Sequence, residues 1–134
     1  RTLLVVGTVS GREGACRGLA GLFDEVLVLP AIGSEEAAKK ALDNARENGA
    51  LALDQAAVEQ CAAAAVSGGP VGVKELLTMA ERACAWAARD EGNEGSLAQR
   101  QVEGMKMYVE DRKKEKSLFE GIGMWNGAKN QFGF

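Results

Sequence analysis

From residue 73 onward, apolar side chains recur at three- and four-residue steps: Val73, Leu76, Leu77, Ala80, Ala83, Cys84 and Ala87. That spacing is one face of an α-helix and predicts a helix over 71–90 with a single buried stripe. Trp86 falls off the stripe, which puts it at the edge of the core or against a partner. A second periodic run, Ala98, Val102, Met105 and Val109, predicts another helix. Its start is marked by Ser96 with Gln99 three residues on, a pair that can satisfy two free backbone N–H groups reciprocally. After Val109 the apolar face stops. Glu110-Asp111-Arg112-Lys113-Lys114-Glu115-Lys116 is charged on every side before Leu118 and Phe119 restore apolar surface. A helix over 97–118 whose second half has no apolar face is expected to project beyond its own domain.

Two further helices are expected upstream. Ser34, followed by Glu35 and Glu36, is a good start for a helix running to about Asn48 and stopped by Gly49. Asp54 caps a mostly alanine segment, Gln55 to Val66, stopped by Ser67-Gly68-Gly69-Pro70. Nearer the N-terminus the pattern changes. Thr2-Leu3-Leu4-Val5-Val6 and Glu25-Val26-Leu27-Val28-Leu29 are unbroken, largely β-branched runs that read as two short buried strands. Between them Gly11, Gly14, Gly18 and Gly21 are spaced to line one side of a closely packed helix. The expected fold is mainly α (α+β): about four helices, a small N-terminal β element and an extended C-terminal tail. Residues 1–95 form a compact part, and residues 96–134 form a projecting helix and aromatic tail, an arm of the same domain.

The tail is read as extended because of its glycines, at 121, 123, 127 and 133. It also holds most of the aromatic side chains: five of the seven, Tyr108, Phe119, Trp125, Phe132 and Phe134, lie in the last 27 residues. Aromatics normally go to a domain's own core, because each removes roughly 150–250 Å² from water. Alanine and glycine, 22 and 17 of 134 residues, leave the remaining helices little bulk to bury. Phe119, Ile122, Met124, Trp125, Phe132 and Phe134 are therefore expected to bind a partner; the competing reading folds them back over the alanine-rich helices.

Composition narrows the chemistry. With 46% apolar and 26% charged residues the chain is an ordinary globular domain, long enough to bury a core without staples. It contains no histidine, which removes the commonest general base and zinc ligand. Cys16, Cys61 and Cys84 are odd in number and widely spaced, as small buried hydrophobes in a reducing compartment would be. Residues 1–95 carry 9 basic and 14 acidic side chains and residues 96–134 carry 7 and 5, too mild a polarity for nucleic acid. No catalytic residue, cofactor or metal is expected. Neighbouring carboxylates such as Glu35 and Glu36 or Asp90 and Glu91 point roughly 100° apart on a helix and do not converge on one atom. The glycines at 7, 11 and 14 read G-x3-G-x2-G, whereas the dinucleotide fingerprint requires G-x-G-x2-G.

No motif is specific enough to name a family. The expected function is a non-catalytic accessory or linker subunit that docks on other protein subunits through its arm. Its expected setting is the interior of an organelle, plastid or mitochondrion, peripheral to a photosynthetic or respiratory membrane complex and in contact with its lipids or pigments. The organelle rests on Arg1 standing where a methionine would, as after removal of a targeting peptide; the alternative location is cytoplasmic. The alternative function is a nucleotide- or cofactor-binding α/β module using the Gly7–Gly21 loop.

Overall fold

The computed structural model describes residues 2–9, 18, 21–89 and 94–131, with side chains to residue 121 in the last helix. Among the described residues four α-helices carry the fold: α1 (Glu35–Glu47), α2 (Val58–Val66), α3 (Val73–Arg89) and α4 (Leu97–Gln131). Their starts follow from local chemistry. The Ser34 hydroxyl accepts from the Ala37 N–H at 3.2 Å. Asp54 Oδ1 accepts from the Ala56 N–H at 2.8 Å and opens a 3-10 turn, Gln55–Ala57, that feeds α2. At α4 the capping box is closed both ways: the Gln99 N–H donates to Ser96 Oγ at 3.2 Å, and the Ser96 N–H donates to Gln99 Oε1 at 3.0 Å. Gly49, after α1, has φ +73°, a conformation costly for any residue with a Cβ.

The helices enclose one core. Leu42 and Ala38 of α1 meet Val58, Cys61, Ala62 and Ala65 of α2; Leu76, Met79, Ala80 and Ala83 of α3 meet Val102, Met105 and Val109 of α4. α4 packs most extensively on α3 and also touches α2. Small residues set the spacing. Gly104 of α4 lies so close to α3 that a Cβ there would come within 3.1 Å of Ala83 Cα and 3.0 Å of the Trp86 ring. Trp86 is thus half-buried over the α3–α4 seam, at the edge of the core. A single antiparallel bridge, Ile32 to Val71, ties the approach to α1 to the approach to α3, with N–H···O distances of 2.7 and 2.9 Å.

Two expectations need correction. The N-terminal β element is absent among the described residues: 2–6 and 25–29 form no strand, and Leu3–Val6 and Val26–Leu29 are 53–86% exposed. An apolar β-branched run specifies a strand only where a partner strand exists, and an isolated pair is marginal in water. The extended tail is also replaced. The backbone of α4 is helical through Gln131, past the break expected at Gly121. Each glycine there costs up to about 1 kcal/mol, but no proline intervenes and a growing helix adds a hydrogen bond with each residue. The glycine-lined helix expected around residues 11–21 and the position of Cys16 fall largely outside the described residues.

Candidate functional site

The rooted half of α4 ends where its contacts with the core end. Val109 is the last buried apolar residue among those described. One turn on, the Arg112 guanidinium pairs with Glu75 of α3 through Nε and donates from Nη2 to the Pro70 carbonyl at 3.2 Å. The Lys113 side chain lies over Gly68, its Cε 2.9 Å from where a Cβ would stand. Lys113 Nζ also donates to Glu110 Oε1 at 2.8 Å, which holds the Glu110 carboxyl below its usual range. From Lys114 to Gly121 every residue is exposed. Leu118 and Phe119 stand in that stretch at 67% and 73% exposure. Of the expected partner-binding residues, Phe119 is therefore on the surface. The side chains of Ile122, Met124 and Trp125, and the whole of Phe132 and Phe134, lie outside what is described.

At the base of the arm a groove of about 520 Å³ opens between α3 and α4. Lys74, Arg82 and Arg112 line it together with Glu75, Asp111 and Glu115, over a floor that includes Met79 and Tyr108. Three cations against three anions give it no net field for a charged ligand, and the Arg112–Glu75 pair satisfies two of the six within the groove. The sequence reading did not single it out. The signal was there: Lys74, Thr78 and Arg82 recur at four-residue steps on the face of α3 next to its apolar stripe.

The two described cysteines are placed as expected, buried on α2 and α3. Burial pushes the Cys61 thiol up to about 12 and also raises Cys84. Gln101 Nε2 donates to Cys84 Sγ at 3.7 Å. Both thiols are protonated near neutral pH and so lack the thiolate that nucleophilic chemistry requires. The raised Cys61 pKa has a consequence for stability. Above the unfolded value of 9.0 an unfolded chain releases this proton while the folded one keeps it, so the stabilisation is complete below pH 9 and drains away towards pH 12. The loss is expected to be about 1 kcal/mol between pH 9 and 10 and slightly more per unit above that. Urea titrations of the parent and of Cys61→Ala should show the parent falling more steeply by that amount; equal slopes would show that Cys61 ionises normally in the fold.

Among the described residues no group of three or more Cys, Asp or Glu is placed to hold a metal, and no helix is long and apolar enough to cross a membrane. Gly7, Gly18 and Gly21 of the candidate phosphate loop are described, the remainder of its glycines are not. Compared with known proteins, the chain matches no family model, no curated protein and no solved structure.

Proposed function

We propose that the chain is a non-catalytic accessory subunit of a larger protein assembly and that it docks through the outer half of α4. The observation that carries this reading is Leu118 and Phe119, exposed on a helix that has already left its own core. A helix that needed only to close its domain would end near Lys113, where its last described core-side contact lies. Continuing to Gln131 adds 18 residues, about 27 Å at 1.5 Å per residue. The charged stretch before Leu118 keeps that extension soluble, because charged faces need no cover. Phe119, with Ile122, Met124, Trp125, Phe132 and Phe134 supplied by the sequence beyond it, gives the partner large side chains with few rotatable bonds to hold. Interfaces draw most of their affinity from anchors of that kind.

The test is truncation after Glu120, read in two ways. The shortened chain should unfold at the same temperature as the parent, since α4 is already exposed from Lys114 to Gly121. It should lose the protein that co-purifies with the parent under mild conditions. A second variant, Phe119→Ala, should weaken that binding by about 2 kcal/mol, roughly thirtyfold, with the melting temperature unchanged. A melting temperature several degrees lower in the truncated chain would make the tail part of its own core and end the proposal.

A further inference from the structure

The N-terminal third presents a surface that the docking arm does not explain. Leu3, Leu4, Val5, Val6, Val26, Leu27, Val28 and Leu29 are each more than half exposed. Together they leave on the order of 1,000 Å² of apolar surface in water, whereas a monomeric protein rarely exposes more than a few hundred in one place. The two runs lie in one neighbourhood: the Phe23 ring, at the entrance to the second, rests on Gly7, at the exit of the first, with Cζ 3.1 Å from where a Cβ would be. Among the described residues, no backbone hydrogen bond joins 2–6 or 25–29 to any other segment. Uncovered apolar side chains and backbone groups that no described residue pairs thus coincide in two segments rich in Val and Leu. Only another extended segment satisfies both deficits at once.

Two features identify that segment. Glu25, at one end of the second run, is the one charged side chain in the two runs, and residues 2–9 and 26–33 carry none, so the apolar stretch lacks the lysines and inward charges that natural edge strands use to prevent self-pairing, and it can meet its own copy with little repulsion. The area also fits. Two copies joined through these eight side chains would remove about 2,000 Å² from water, at the size of stable protein–protein interfaces. A single copy offers two runs, too few for a stable sheet; two copies offer four. We infer that Thr2–Val6 and Glu25–Leu29 of two copies of this chain join into one intermolecular four-stranded β-sheet. The homodimer so formed leaves α4 on each copy to its own partner.

Sedimentation equilibrium of the full chain at about 100 µM, far above the Kd that such an area supports, should give twice the chain mass of 14.1 kDa. Amide hydrogen exchange should be slow at 2–6 and 25–29. The double variant Val5→Lys, Leu27→Lys should be monomeric with fast exchange in those segments. Its helical circular dichroism should be unchanged, because both positions lie outside the core. A monomeric parent, a dimer that survives the double substitution, or aggregates without a defined stoichiometry would each overturn the inference. The second of these would place the self-contact elsewhere, with α4 the first surface to examine.

Discussion

Replacing Gln101 by alanine should lower the stability of the fold by about 3 kcal/mol and its melting temperature by roughly 10 °C. Gln101 is the one buried polar side chain among the described core residues, 1% exposed on the first turn of α4 that faces the interior. Its carboxamide fastens a loop that has no secondary structure of its own: Oε1 accepts from the Asp54 N–H at 2.8 Å, and Nε2 donates to the Ala52 carbonyl at 2.9 Å. Leu51 and Leu53, either side of Ala52, are buried. Removing the amide leaves one part-buried donor and one part-buried acceptor without their partners, at about 1–3 kcal/mol each, and leaves a small cavity. The ordering cost that glutamine incurs on folding and alanine does not, up to about 2 kcal/mol for a long polar residue, offsets part of this. Gln101→Met, which keeps the volume and loses both hydrogen bonds, should recover only the cavity part, leaving a loss of about 2 kcal/mol. Chemical denaturation of the three proteins measures these differences, and a Gln101→Ala loss below about 1 kcal/mol would mean that water or a shifted loop repairs the contacts.

The second large effect is expected at Gly104, where valine should cost about 3 kcal/mol. Two tendencies oppose each other. A glycine inside a helix forgoes up to about 1 kcal/mol relative to alanine, so on propensity alone any substitution should stabilise α4. Against this, the first atoms a Cβ would meet are the Trp86 ring at 3.0 Å, Ala83 Cα at 3.1 Å and Ala83 O at 3.2 Å. The ring can rotate aside, but two of the three are backbone atoms of α3 and yield only if the helices part. Alanine should therefore come out near neutral, propensity cancelling strain. Valine adds two methyl groups to a seam without room for one and falls at the upper end of the overpacking range or beyond it. Denaturant midpoints for Gly104→Ala and Gly104→Val decide the matter: a stabilised Gly104→Val would show that α3 and α4 separate at little cost.

These two positions also mark where the sequence stopped being legible. Ser34, Asp54 and the Ser96–Gln99 pair could be read directly, because capping is chemistry among residues two or three apart, and each makes the expected hydrogen bond. The stripe on α3 was legible for the same reason of local periodicity, although Met79 joins the core while Val73 stays exposed. Gln101 gave no such sign. Its partners are 47 and 49 residues away, and on sequence alone it is one more polar position between apolar ones. Gly104 reads as a weak point in a helix until the approach of α3 gives it a use. The strands were misread from the opposite cause. Thr2–Val6 and Glu25–Leu29 have strand composition, but strand formation belongs to a pair, and neither run is a strand among the described residues. At the far end of α4, glycine content argued for a break that the backbone does not make.

Because α4 is one uninterrupted rod, its inner and outer halves are not mechanically separate. Gln101, Gly104 and Met105 seat the inner half like an oar in its rowlock. The 18 residues beyond Lys113 form a blade about 27 Å long and Gln131 lies about 39 Å from Met105, so a pivot of only about 10° in the seat sweeps Gln131 through about 7 Å. A partner bound to the blade, as proposed, would therefore also set the heading of the whole bundle. Conversely, loosening the seat at Gln101 would blur the aim of the tip before it unfolded anything.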